Sequence, residues 1–179
     1  LAVSVNIELD VIVSGSRDGV VIVRTVREGR LVRILNPEHE ADAATMALPS
    51  LGGPALSGIL WCSVTTQGHL LTYSANELVV RAYSINGKLL AECESYERLR
   101  AFTVTQDGKF LLTGGDKGEV TVRHVHDLSV AHKYGDPSEN AEGIITSLSL
   151  GPNERFLFVG TNSGRMLIFA SFHIDAKPQ

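Results

Sequence analysis

The stretch LTGGDKGEVTVRHV, at residues 112–125, has strand-like segments on both sides of a glycine-rich turn. That pattern predicts two β-strands joined into a hairpin. A near copy, VSGSRDGVVIVRTV, lies at residues 13–26. Since one chain contains the same hairpin twice, we expect an architecture that is built from an internal repeat.

The repeat is followed most easily through the small residue that ends the second strand of each unit. These anchors are Gly15, Ser74, Gly114 and Gly160. The interval from Ser74 to Gly114 is 40 residues, which agrees with the period of a four-stranded propeller blade. The two longer intervals become regular if loops are inserted at 36–55 and 135–142, where the sequence is rich in turn-forming residues.

We therefore predict an all-β fold with a single domain at 1–179. Its four repeats are expected at about 1–35, 56–93, 98–134 and 143–175.

The first strand of each repeat alternates bulky apolar with small polar residues. Phe102 and Val104 alternate with Thr103 and Thr105, and the other three repeats follow the same rule. This period of two indicates strands, and large residues on one side let neighbouring blades pack closely near a propeller axis. An ordinary β-sandwich is the alternative, but it does not require four copies of one hairpin.

Turn residues support the same assignment. Gly19, Gly118 and Gly164 close the turn between the second and third strands, where a positive φ is expected. Asn86-Gly87 predicts a two-residue hairpin. No segment shows sustained helical periodicity.

Composition excludes several classes of function. The net charge is −4 and no Lys/Arg block is present, which argues against nucleic acid as a partner. Two cysteines in 179 residues indicate neither a disulfide framework nor a zinc knuckle. Residues 43–76 carry no charge, but their prolines and glycines indicate a loop followed by strands, so we expect no transmembrane helix.

No catalytic residue, metal site or cofactor is expected. His124 and His126, with His132, could together bind a metal, but the interpretation we prefer is exposed histidines on outer strands. The Gly-rich turns lack P-loop spacing and carry too few acidic residues for a calcium loop. The innermost strands supply Thr, Ser and Asn, not acids or His, which argues against an enzyme.

Binding is the function that remains. In a propeller, the turns between second and third strands share one face with the connections between blades, and loops on a rigid frame are where recognition usually occurs. We expect this face to bind a protein partner through Arg17, Asp18, Asn76, Glu77, Asp116, Lys117 and Asn162.

The repeat resembles a degenerate WD40 β-propeller. The Trp-Asp dipeptide of typical WD40 repeats is replaced in each unit. The replacements are Arg24-Thr25, Tyr83-Ser84, Arg123-His124 and Phe169-Ala170. The hydrogen-bond network that the WD40 dipeptide supports is therefore not expected here, whereas the apolar packing pattern is retained.

Residues 83–92, YSINGKLLAE, and residues 99–128 resemble the C-terminal propeller of BEACH-domain proteins, the neurobeachin/beige group. The resemblance implies a non-enzymatic scaffold in vesicle and membrane trafficking. It also implies a cytoplasmic location, with peripheral association with vesicle or endomembrane surfaces through the parent protein.

The four repeats resemble the C-terminal portion of a larger propeller ring. A partial ring exposes blade faces and strand edges, so we expect the chain to self-associate through them, to exchange strands, or to persist as an open crescent. Two alternatives stay open. One is a propeller hydrolase whose catalytic residues lie in other blades, and the other is a WD40 adaptor subunit of an unrelated complex.

Overall fold

The computed structural model describes residues 2–35, 58–135 and 143–170, and within these ranges the chain forms fifteen β-strands. The first sheet contains β1 (Ala2–Asn6), β2 (Val11–Gly15), β3 (Val21–Thr25) and β4 (Leu31–Leu35). The second contains β5 (Ile59–Val64), β6 (His69–Ser74), β7 (Val79–Ser84) and β8 (Leu89–Glu94). The third contains β9 (Leu99–Val104), β10 (Phe110–Gly115), β11 (Val120–His124) and β12 (Val130–Tyr134). The fourth contains β13 (Ile145–Leu150), β14 (Phe156–Thr161) and β15 (Met166–Ala170).

Each sheet is an antiparallel meander in which strands that are consecutive in sequence pair with each other. We call the sheets blades 1 to 4. The first three have four strands, and the described part of blade 4 has three. This all-β arrangement of sequential three- and four-stranded sheets confirms the predicted fold class, a portion of a WD40-like propeller. The predicted loop 36–55, and 136–142 of the second loop, lie outside the described residues.

The strand register corrects the repeat alignment by one residue in blade 2. Gly114 pairs with Ala101 and Gly160 pairs with Ser147, whereas the residue that pairs at the same point of blade 2 is Tyr73. Ser74, the predicted anchor, lies one position later. The prediction was wrong because a small residue was expected at the anchor, and in blade 2 that position holds a tyrosine.

Glycine turns recur as predicted, with one difference. Gly19, Gly118 and Gly164 all have positive φ, between 75° and 82°. The Asn86-Gly87 hairpin also forms, but its loop has three residues, because the Ser84 N–H donates to the Lys88 carbonyl at 2.8 Å. The Ser84 hydroxyl accepts a hydrogen bond from the Lys88 N–H at 3.1 Å, which fits the wider loop.

Apolar residues from neighbouring blades form three continuous core clusters. One cluster joins blades 1 and 2, the next joins blades 2 and 3, and the last joins blades 3 and 4. Val13, Val23 and Leu70 are fully buried at the first of these junctions. Each blade therefore buries its apolar faces against its neighbours and not within itself.

A glycine on the second strand of one blade receives an isoleucine from the next blade. A Cβ at Gly114 would lie 2.7 Å from Cγ2 of Ile145, and a Cβ at Gly15 would overlap with the side chain of Ile59. We call each of these contacts a glycine socket. Blade 2 has Tyr73 at this position instead, and its hydroxyl accepts the N–H of Leu99 at 3.0 Å.

Substituting Gly15 with alanine should lower the free energy of unfolding by about 1–3 kcal/mol, the usual cost of overpacking a close contact. Urea denaturation followed by circular dichroism measures the change. Ile59→Ala alone should also destabilise the chain, because it removes buried apolar contacts. If Ile59 packs directly against Gly15, the double variant loses less stability than the sum of the two single variants. Additive losses would contradict this contact.

Candidate partner-binding face

The seven residues that the sequence assigns to partner binding lie on turns at one end of the sheets. We call this end the linker face. It consists of the turns β2–β3, β6–β7, β10–β11 and β14–β15, together with the described parts of the chain that connects one blade to the next. Hydrogen bonds between turns and connections, given below, show that both sets of segments meet there.

In blade 1 the turn supports the chain that enters blade 2. The Ser16 carbonyl accepts the Ile59 N–H at 2.9 Å. Gly58 packs so closely on Arg17 that a Cβ would lie 2.8 Å from the Arg17 carbonyl oxygen. The side chains of Arg17 and Asp18 are left exposed at the surface.

In blade 2 the turn carries an exposed residue and a paired one. Asn76 is exposed. Glu77 pairs with Arg81 at 2.7 Å, and Arg81 also pairs with Glu92 at 2.6 Å. The Arg81 side chain is mostly buried, so Glu77 compensates a charge that is largely removed from water. Glu77 thus has a structural role within the blade.

In blade 3 one contact ties the turn to β9 and another ties it to the preceding connection. The Asp116 carboxylate accepts a hydrogen bond from Arg100 Nε at 2.5 Å. The Lys117 N–H donates to Glu97 Oε2 at 2.7 Å, while the Lys117 side chain remains exposed. Burial raises the pKa of the Glu97 carboxyl above its ordinary value, and the hydrogen bond from Lys117 opposes this only in part.

In blade 4 Asn162 forms two hydrogen bonds with the residue that directly precedes β13. Its Oδ1 accepts the Ile144 N–H at 3.0 Å, and its own N–H donates to the Ile144 carbonyl at 2.9 Å. Gly143 packs closely against the Asn162 side chain, since a Cβ at position 143 would lie 2.7 Å from Asn162 Oδ1. Asn162 therefore fixes the connection between blades 3 and 4.

The structure thus brings all seven predicted residues to one face and divides them into two groups. Glu77, Asp116 and Asn162 make internal contacts that hold turns and connections in place. The exposed side chains that can reach a partner are those of Arg17, Asp18, Asn76 and Lys117.

Sequence reasoning missed the connection between blades 2 and 3. The Ser95 hydroxyl lies within hydrogen-bond distance of two carbonyl acceptors, Leu78 at 2.9 Å and Glu97 at 2.6 Å, between which its one proton is shared. The Arg98 carbonyl accepts the Asp116 N–H at 3.2 Å. The Arg98–Asp116 contact has a counterpart in blade 4, where the Ile144 carbonyl accepts the Asn162 N–H, but these are backbone contacts and no side-chain pattern in the sequence signals them.

Sequence reasoning also missed a line of hydrogen bonds between blades at the opposite end. Thr66 Oγ1 donates to the Gln106 carbonyl at 3.2 Å, and Gln67 Nε2 donates to the Asp107 carbonyl at 2.9 Å. The Glu154 carboxylate accepts the Gln106 N–H. The signal available in the sequence is the group of polar residues that follows each first strand.

The inner strands of blades 1 to 3 line an open groove of about 490 Å³. Its walls carry the stacked rings of Trp61 and Phe102, with centroids 4.7 Å apart, among small hydroxyl side chains. The residues that line the groove include no Asp, Glu, His, Lys or Arg.

The histidines do not assemble a metal site in the described ranges. The rings of His124 and His126 lie 5.5 Å apart, but His126 Nε2 pairs with Asp127 at 3.3 Å, and His132 packs on Tyr134. β11 ends at His124, so His126 lies in the following turn and not on the strand as predicted.

Both cysteines are free, and burial raises the pKa of the Cys62 and Cys93 thiols, which disfavours the reactive thiolate. Across residues 2–35, 58–135 and 143–170, no helix is long and apolar enough to cross a membrane.

Comparison with known proteins gives one family. Residues 1–177 match the family model described as the neurobeachin beta propeller domain. The BEACH domain-containing protein B of Arabidopsis thaliana is 34% identical over 93% of this chain. A putative neurobeachin homolog of Caenorhabditis briggsae is 26% identical over 94% of the chain. The chain spans only 6% of the length of each of these two proteins.

Solved structures support the fold alone. The computationally designed Ika4 protein superposes on 94% of this chain with a TM-score of 0.67 and 13% identity, and the match covers 89% of Ika4. The designed Ika8 protein gives the same TM-score and identity, and there the match covers 45% of Ika8.

The contact between Glu97 and the β10–β11 turn predicts a pH dependence. Because the folded chain holds the Glu97 proton more tightly than the unfolded chain does, ionising Glu97 costs folding free energy. Its contribution to stability therefore falls as the pH rises from 4.5 through the raised pKa. Glu97→Gln keeps an oxygen for the Lys117 N–H and removes the charge, so its stability relative to the wild type should increase over this window and then level off.

Urea denaturation at a series of pH values measures this difference. Glu94→Gln, at an exposed strand end, controls for the loss of one negative charge. If the stability difference between Glu97→Gln and the wild type stays constant or shrinks as the pH rises, burial does not raise the pKa of the Glu97 carboxyl.

Proposed function

We propose that this chain, which belongs to the neurobeachin β-propeller family, acts as a non-enzymatic scaffold that binds a protein partner through its linker face. The observation that carries the proposal is the convergence of the exposed side chains of Arg17, Asp18, Asn76 and Lys117 on one face. These side chains lie on turns that are hydrogen-bonded to the connections between blades. The Ile59 N–H donates to the Ser16 carbonyl, and the Ile144 N–H donates to Asn162 Oδ1.

The linker face suits recognition because its turns are held in place. Two contacts hold the turn of blade 3. Arg100 donates to the Asp116 carboxylate, and the Lys117 N–H donates to the Glu97 carboxylate. A loop that is fixed before binding loses less conformational entropy when a partner docks. Charges of both signs, Arg17 and Lys117 with Asp18, would give specificity for a partner with complementary charges.

The non-enzymatic character of the proposal rests on the inner strands. In a propeller enzyme these strands and their groove would supply acids, histidines or metal ligands. Here the described inner strands β1, β5, β9 and β13 contain no Asp, Glu or His. The relatives carry names that refer to a BEACH domain or to neurobeachin, neither of which names a reaction.

Within this proposal, the partner belongs to the machinery of vesicle and membrane traffic. The protein acts in the cytoplasm and reaches vesicle or endomembrane surfaces peripherally, through the longer protein of which propellers in this family form a part. This assignment is supported by the family to which the chain belongs.

A charge swap on the linker face tests the proposal. Asp18→Lys with Lys117→Glu reverses one charge of each sign among the exposed side chains of the linker face and leaves the net charge unchanged. Because both side chains are exposed at the surface, the fold should persist. We expect proteins that the tagged chain recovers from cytosol and membrane fractions to be depleted several-fold, as quantified by mass spectrometry.

The matched control is Glu8→Lys with Arg155→Glu, two exposed residues on turns at the opposite end. This control should keep its partners, including proteins of vesicles. Equal recovery with the linker-face variant would refute the proposed binding face. Recovery confined to components of a soluble complex without vesicle proteins would favour an adaptor role over trafficking.

A further inference from the structure

Tyr96 is a large aromatic residue that is exposed on the linker face and lies outside the seven predicted residues. It belongs to the connection between blades 2 and 3, residues 95–98, and it is 77% exposed. Within the part of the chain that the structure describes, its ring stacks on no other ring and its hydroxyl forms no hydrogen bond. The ring therefore contributes little buried apolar area to the stability of the fold.

The backbone of Tyr96 has a conformation that disfavours a tyrosine. Its φ is 54°, in the left-handed region, where glycine and asparagine are common and a bulky side chain is an outlier. Residues in such conformations persist only where the surrounding structure enforces them, and they cluster at functional sites. Since folding gains little from the exposed ring and is opposed by the backbone, the tyrosine itself points to a role outside folding.

Hydrogen bonds on both sides of Tyr96 hold this conformation. The Ser95 N–H donates to the Leu78 carbonyl at 2.8 Å, in the turn between β6 and β7. On the other side, the Glu97 carboxylate accepts the Lys117 N–H at 2.7 Å, in the turn between β10 and β11. The backbone that carries the ring is thus fixed before binding, so less conformational entropy is lost when a partner docks.

The same hydrogen bonds place Tyr96 among residues that the proposed function assigns to the partner. Asn76 lies on the turn to which Ser95 is bonded, and Lys117 lies on the turn to which Glu97 is bonded. The side chains of Asn76 and Lys117 are exposed. An aromatic residue between exposed polar neighbours is the usual arrangement of a binding hot spot, in which a polar rim surrounds an apolar anchor.

The position of Tyr96 stays open however many blades the propeller has. Blade 2 packs on blades 1 and 3, and blade 3 packs on blades 2 and 4, all within this chain. Further blades would join beyond blades 1 and 4, beside the sheets and not over the linker face. The exposure of Tyr96 is therefore a property of the linker face and not of an unpaired blade.

We propose that Tyr96 is the aromatic anchor of the linker face and inserts its ring into an apolar recess of the protein partner. The inference rests on the proposed function and deepens it by assigning the apolar part of the contact. Tyrosine suits this role because its ring offers a large contact area at low cost in conformational entropy, and its hydroxyl can bond to a polar group in the recess.

Substitution with asparagine tests the proposal, because asparagine tolerates the left-handed backbone and removes the ring. The urea midpoint of Tyr96→Asn should equal or exceed that of the wild type. Recovery of the proteins that the variant Asp18→Lys with Lys117→Glu depletes should fall several-fold, as quantified by mass spectrometry. Tyr96→Phe keeps the ring and should retain most of this recovery.

Leu90→Asn is the matched control. Leu90 is an exposed apolar residue near the start of β8, at the end of that strand away from the linker face. This variant should recover the same proteins as the wild type, because the residue that it changes lies outside the proposed contact.

Site-specific photo-crosslinking identifies what the ring contacts. When Tyr96 is replaced by p-benzoylphenylalanine, irradiation should join the chain to one of the proteins that the linker-face charge swap depletes. The same photoreactive residue in place of Leu90 should give no such product.

Three results would overturn the proposal. A lower urea midpoint for Tyr96→Asn would mean that the ring stabilises the fold, and a crosslink from position 96 to another segment of this chain would mean that the ring is covered from within. Unchanged recovery with Tyr96→Asn, where the charge swap does deplete partners, would reject the anchor and leave the proposed function intact. If the charge swap depletes nothing, the proposed function fails, and the anchor fails with it.

Discussion

Apolar packing between neighbouring sheets is the interaction on which this fold depends. A single four-stranded meander with two apolar sides cannot bury both of them, so each blade gains stability only when another blade covers it. Val13, Val23 and Leu70 are fully buried because two blades contribute to one cluster. The glycine sockets set how closely the blades approach, since Ile59 and Ile145 fit only where the facing residue lacks a side chain.

This dependence explains how the fold survives without the Trp-Asp dipeptide of typical WD40 repeats. Arg24 and Arg123 occupy the Trp position, and each donates a hydrogen bond to a carbonyl in its own β3–β4 or β11–β12 turn. Thr25 and Ser84 occupy the Asp position, and their hydroxyls accept backbone N–H groups of the same turns. Local hydrogen bonds thus hold the turns, while the contacts between blades remain apolar.

The sequence predicted what repeats and could not predict what does not. The four sequence repeats predict the strand order and the glycine turns. They also predict that the seven candidate residues lie on one face. The anchor in blade 2 was displaced because Tyr73 stands where the other blades have glycine, and its hydroxyl bond to Leu99 has no counterpart in them. The structural roles of Glu97 and Asn162 depend on connections that differ between blades, so no period reveals them.

Native-state hydrogen exchange, followed by mass spectrometry on the second strands β2, β6, β10 and β14, tests most directly whether the blades depend on one another. If packing between sheets carries the fold, β2, β6 and β10 share one high opening free energy, and Gly15→Ala lowers it in blade 2 as well as in blade 1. Protection that differs freely from blade to blade, with the effect of Gly15→Ala confined to blade 1, would contradict this dependence.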